Sequence, residues 1–246
     1  MNPWTKSFIL GLLTLIMVWG VSGCMNKKPN HETTIDRMIA HLEEKYGEEF
    51  VPLSFNSSNW AYGYDSLYAY PKKGSEKDNF EVRGTKKKEG TYAIHDGYFG
   101  IFIKPQYEKV MSGFVSEIYD EFKLYTNFGD GVLPDRLNKD TPFEEIYDKD
   151  ELFSSDTVVF VKEASAKGID DGESLHKIAV QMQAKKMVGS VRLYVVFDER
   201  FETVSIDSLD LTPIQKRDYF IRERKNINVT KSLGIVNYEE EVQMDG

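Results

Sequence analysis

The apolar positions of this chain change their period several times along its length. Residues 8 to 19 are almost unbroken apolar sequence, and Lys6 is the only charge among residues 1 to 23. Farther on, Ile35, Met38, Ile39 and Leu42 recur at helical spacing and predict a helix over 34–46, with Thr33 or Thr34 as cap and Gly47 as stop. Residues 50 to 104 read as β-rich, with turns at 71–74, 86–90 and 96–97. The strongest strand expectation there is 98–103. Pro105 then predicts a helix start, because proline is tolerated in a first turn, and Tyr107, Val110, Met111, Phe114, Val115, Ile118 and Phe122 form its apolar stripe. Further strands are expected at 123–128, 156–161 and 191–197. A helix is expected from Asp171, with Leu175, Ile178, Ala179 and Met182 on one face. Thr141-Pro142 and Thr212-Pro213 read as capped helix starts.

This order predicts an α+β fold: an N-terminal helix, a β-rich segment, then two β-α-β-type units packed on one mixed sheet. The two units rest on a faint echo. Phe102-Ile103-Lys104 precedes a helix, then Lys123-Leu124-Tyr125, then Thr141-Pro142; Phe160-Val161-Lys162 precedes a helix, then Arg192-Leu193-Tyr194, then Thr212-Pro213. The copies span 98–150 and 156–222. No Pro/Gly/Ser-rich linker divides residues 34–246, so one domain, or two closely packed halves, is expected.

The first 24 residues belong to a different kind of sequence. A basic start, a short apolar core and small residues form the layout of a secretory signal, and the apolar run is too short for the roughly 20 residues that cross a bilayer. It ends in Val21-Ser22-Gly23-Cys24, which resembles the lipobox of bacterial lipoproteins: an aliphatic residue, two small residues and a cysteine. The resemblance implies cleavage before Cys24, diacylglycerol on its sulfur, and residence at the extracytoplasmic face of a membrane. Residues 1–23 would be removed, and 24–33 would be a lipidated tether. Two acyl chains anchor stably where one binds only marginally.

Composition narrows the rest. The chain carries a net charge of −9, and loss of residues 1–23 with their one lysine makes it −10. Such a charge argues against nucleic-acid binding, which needs a basic face. Cys24 is the only cysteine, so the exported part has no internal disulfide, no cysteine-based metal site and no thiol catalysis.

Chemistry-bearing patterns are sparse. Trp60, Tyr62, Tyr64, Tyr68 and Tyr70 all fall on even positions and would line one face of an extended segment. Trp and Tyr offer rigid amphipathic area, so Trp60, Tyr62 and Tyr64 are the candidate contact surface, beside the alternative that the run faces the core. Glu173 and His176 sit three apart on a helix but lack the partner ligands that a metal needs. Asp96, in His95-Asp96-Gly97, is explained by turn chemistry. Asn127-Phe128-Gly129-Asp130-Gly131 lacks the alternating ligands of a calcium loop. No catalytic residue, cofactor or metal is expected. The leading expectation is a membrane-anchored, non-enzymatic binding module for an envelope protein or a wall glycan. An envelope hydrolase using carboxylates and a tethered immunity or inhibitor protein are the alternatives.

Overall fold

The protein is described by a computed structural model covering residues 31–128, 132–222 and 224–237. The signal segment 1–23, the lipidation residue Cys24 and residues 25–30 of the tether lie outside the described residues. The fold is α+β, with helices packed on one four-stranded and one five-stranded sheet.

The first helix, α1 (His31–Tyr46), begins three residues earlier than the pattern predicts, so Thr33 and Thr34 lie inside it. Glu32 occupies its first turn, where the partial positive charge of a helix start favours an acid. Gly47 ends the helix in the left-handed region at φ +66°, and its N–H donates to the Glu43 carbonyl at 2.8 Å.

Four antiparallel strands follow in chain order: β1 (Phe50–Asn56), β2 (Asp65–Pro71), β3 (Phe80–Lys86) and β4 (Tyr92–Asp96). Their period of two divides the sheet faces. Leu67, Ala69, Phe80 and Val82 turn inward onto Met38, Leu42 and Tyr46 of α1. Ser66, Tyr68, Glu81, Arg83 and His95 occupy the alternate, outward rows, where they are half-buried or exposed. Gly84 allows α1 to lie close, because a Cβ there would stand 2.0 Å from the Tyr92 hydroxyl and 2.5 Å from Met38 Cε.

The strand expected at 98–103 is helix. It forms the first turns of α2 (Tyr98–Ser116), so Pro105 lies inside that helix rather than at its start. Phe99, Ile103, Tyr107 and Met111 are spaced four apart and all buried. An interior proline costs about 3 kcal/mol, whereas burying each such side chain contributes about 1.5–3 kcal/mol, so the stripe prevails. Tyr98, on a different side of the helix, packs among Tyr46, Phe50 and Phe80. α2 therefore turns Tyr98 and the half-buried Ile101 to the first core and a row of side chains to the second. Ile118 and Phe122 fall beyond its end, and Phe122 opens the next strand.

The second sheet has the order β5 (Phe122–Asn127), β6 (Ser155–Lys162), β7 (Gly189–Val196), β8 (Lys225–Val229), β9 (Ile235–Asn237). Only β6 and β7 pair in parallel, joined through α3 (Glu163–Ala166) and α4 (Asp171–Ala184). Leu175, Ile178, Ala179 and Met182 of α4 cover one face with the α2 stripe, against Val159, Val161 and Leu193. The other face buries Val158, Phe160 and Val196 under Phe201 and Val204. Coverage on both sides is why β6 reads as a continuous apolar run.

Residues 156–222 thus contain a strand–helix–strand crossover, whereas residues 98–150 supply a helix and the edge strand β5. Thr141-Pro142 leads into a single 3-10 turn, Phe143–Glu145, rather than a capped α-helix. The Thr141 hydroxyl accepts the Asn138 N–H at 3.0 Å and so serves the preceding turn. At Thr212 the cap forms as expected, reciprocally with Gln215, and starts the short α5 (Pro213–Arg217).

Candidate contact surface

The aromatic run divides at Asp65, where β2 begins. Residues 57–64 form the connection between β1 and β2 and are not extended. Asn59 shapes its apex: its side-chain oxygen accepts from Ala61 N at 2.8 Å and Tyr62 N at 3.1 Å, and its own N–H donates to the Tyr62 carbonyl at 2.9 Å. A side chain that bonds the backbone two or three residues on is a local turn-former. Asp65 braces the base, accepting Ser58 N at 2.7 Å and the Tyr92 hydroxyl at 2.6 Å. Burial, and then the Asp65 carboxylate, hold the Tyr92 hydroxyl above the ordinary tyrosine range.

This frame holds Trp60 99% exposed and Tyr62 59% exposed. Tyr64 is half-buried and meets Tyr62 edge-on at 5.9 Å, with the Arg83 guanidinium 4.7 Å from its ring centre. Arg83 in turn donates to Glu81 at 2.6 Å, and Ser66 donates to the other Glu81 oxygen at 2.8 Å. Burial pushes the Glu81 carboxyl up, but the Arg83 and Ser66 hydrogen bonds and the Arg83 charge outweigh it and leave it below the usual range. Trp60, Tyr62 and Tyr64 therefore cluster at the hairpin tip. The alternation did not mark one flat stripe: Tyr68 and Tyr70 sit farther along the outward face of β2. Tyr68 borders a separate cleft of about 210 Å³ with Glu81, Lys104 and Phe128.

The remaining candidates do not converge. Glu173 and His176 border an open groove of about 680 Å³ along α4, with Glu117, Asp170 and Lys177. Among the described residues, no group of three or more His, Cys, Asp or Glu side chains could hold a metal ion. His95 Nδ1 lies 2.7 Å from Asp135 on the surface. His41, on α1, is half-buried, and its Nε2 is buried without a hydrogen-bond partner among the described residues. Residues 129–131 of the glycine-rich turn lie outside the described residues.

Asp96 is the residue that sequence reasoning assigned wrongly to turn chemistry alone. It is 1% exposed and its carboxylate takes three hydrogen bonds: Lys45 Nζ at 2.8 Å, the Tyr46 hydroxyl at 2.7 Å and the Tyr98 N–H at 3.0 Å. It joins α1, β4 and the start of α2, where an acid is favoured by the helix dipole. Burial, then the nearby Asp96 charge, push the Tyr46 hydroxyl far above its ordinary range. An acid immediately before an apolar helix was the available signal, and it was masked by reading 98–103 as strand.

No family model matches the chain, and no curated protein matches it. Among solved structures the chain is similar to a DUF5037 family protein from Ruminococcus gnavus ATCC 29149, at 16% identity and a TM-score of 0.41, over 79% of this chain and 90% of that one. No described helix is long and apolar enough to cross a membrane.

Proposed function

We propose that the chain is a bacterial lipoprotein, cut before Cys24 and lipidated there, whose domain is a non-enzymatic contact module at the extracytoplasmic face of the membrane. The lipobox carries the anchor. The carrying observation for the module is Trp60, wholly exposed on a hairpin apex built by Asn59 and Asp65. A large apolar ring held in water by a hydrogen-bonded turn gains most when a partner covers it. Anchoring supports this reading, because a tether holds the tip near envelope partners at high effective concentration.

Metabolic labelling with palmitate tests the anchor: label on the wild-type chain and none on Cys24→Ser supports it, and label on neither overturns it. The module is tested by changing Trp60 and Tyr64 together to Ala and measuring thermal shifts with envelope partners, wall glycans included. Lost binding at a retained melting temperature supports the reading; unfolding alone overturns it.

A further inference from the structure

Chain direction places several separate features at one end of the four-stranded sheet. The C-terminus of α1 lies at the Phe50 end of the sheet, where Tyr46 meets Phe50 at 6.2 Å. Met38 lies over Gly84, and the Arg37 guanidinium is 5.2 Å from the Tyr92 ring. Gly84 pairs with Asp65, the first residue of β2 after the Trp60 loop. The N-terminal half of α1 therefore lies toward the Trp60 end, and the six residues from Arg37 back to His31 carry it about 9 Å farther that way. The β3–β4 turn is at the same end, because Lys86 pairs with Tyr92 beyond the Gly84 row. That turn exposes Lys86, Lys87 and Lys88, and is closed by Lys87 N–H to the Thr91 carbonyl at 2.8 Å.

One pole thus gathers the exposed Trp60 and Tyr62, three exposed lysines and the start of α1. Cys24 precedes His31 by seven residues, a reach of about 25 Å at most. The acids at this pole are Glu89, which accepts from the Thr91 hydroxyl at 3.0 Å, Glu32 and Asp36 on α1, and Asp65 at the base of the Trp60 loop, against Arg37 and the three lysines. The pole is therefore close to balanced in charge, within a chain whose lipidated form carries −10 by sequence. Trp and Tyr rings favour the boundary between headgroups and acyl chains, and lysines near the surface are drawn to anionic lipid.

We propose that this pole docks on the anchoring membrane itself, with Trp60 and Tyr62 in the headgroup layer and Lys86, Lys87 and Lys88 against anionic lipid. The proposal rests on the lipoprotein reading above and names the partner of the same tip: a lipid surface. Docking at two points, the acyl anchor and the tip, holds the long axis of the sheet steep to the bilayer.

The chain contains its own probe. Of its three tryptophans, Trp4 and Trp19 precede the cleavage point, so Trp60 is the sole tryptophan of the processed protein. The lipoprotein, expressed as the full chain and purified from membranes, is placed in phosphatidylcholine vesicles with and without phosphatidylglycerol, carrying bromine on the acyl chains. The expected result is a blue-shifted Trp60 emission, quenched by bromine and more strongly with phosphatidylglycerol. Changing Lys86, Lys87 and Lys88 together to Ser should lower the docked-to-free ratio by up to about a hundredfold, since each lysine contributes about 1 kcal/mol at an anionic surface. Intact mass reports the lipid on Cys24 separately. A lipidated protein whose Trp60 stays in water, quenched by aqueous iodide as fully as in detergent, overturns the docking and leaves the anchor standing. A protein without lipid overturns the anchor and the docking with it. Emission that shifts only on adding wall glycan overturns lipid as the partner and assigns the tip to glycan.

Discussion

The two sheets solve the same physical problem differently. In the five-stranded sheet, β6 and β7 are covered on both faces: α2 and α4 pack on one side, and the chain from Phe197 to Phe220 packs on the other. In the four-stranded sheet, α1 covers one face, and the outward rows of β2, β3 and β4 stay half-buried or exposed. A doubly covered sheet leaves its side chains little besides packing to do. A singly covered sheet keeps a face and two hairpin ends available, and the exposed aromatic cluster is found there. The contrast places the doubly covered packing in one region and the exposed aromatic rings in the other.

The largest test of that contrast is Phe160→Ala. Phe160 is fully buried on the second face of β6, stacked on Phe220 at 5.9 Å and beside Tyr125 and Tyr194. A loss of about 3–5 kcal/mol is expected from chemical denaturation. A loss near zero would mean that the second face is not a core. Asp96→Ala comes next, because it leaves Lys45, whose side chain is only 14% exposed, without its carboxylate and removes the acceptor of the Tyr98 N–H at the start of α2. About 3 kcal/mol is expected, with hydrogen exchange accelerated at α1 and the start of α2 before the five-stranded sheet is affected. Equal acceleration in both sheets would deny that they differ in local stability.

Gly84→Ala should cost about 1–3 kcal/mol, because the new Cβ collides with Tyr92 and Met38. A neutral result would show α1 to be loosely seated. A smaller effect is expected on the outward face. The Glu81 carboxyl is depressed on folding, so its contribution is fully present above the ordinary glutamate value of about 4.5 and is lost as pH falls through the lower folded value. The wild type should therefore lose stability more steeply than Glu81→Gln through the acid range below 4.5, as read from denaturation midpoints. The smallest stability change is expected at the tip. Trp60→Ala should stay within about 0.5 kcal/mol of wild type by melting, while removing docking. A large destabilisation would return Trp60 to the core.

Elements whose apolar period is local were legible. The stripe of Leu175, Ile178, Ala179 and Met182 is buried as its spacing implies, and β6 and β7 fall where their continuous runs place them. The failures occurred where a nonlocal partner decides. Residues 98–103 have strand-like composition, yet Phe99 and Ile103 continue a helical row that is recognisable only once Tyr107 and Met111 are seen to face the same core. Trp60, Tyr62 and Tyr64 could be named from sequence, but whether they faced core or water depended on how residues 57–64 fold between two strands.

The sequence by itself determined the local periods, the stop of α1 at Gly47, the α+β class and the single cysteine, because each follows from neighbouring residues along the chain. Only the tertiary structure decided that Asp96 is a buried junction of three elements, that Pro105 lies inside a helix, and that the Trp60 tip, the lysine turn and the start of α1 share one pole. Those outcomes depend on groups tens of residues apart meeting in space, and no local pattern encodes which distant side chain will supply the covering surface or the opposing charge.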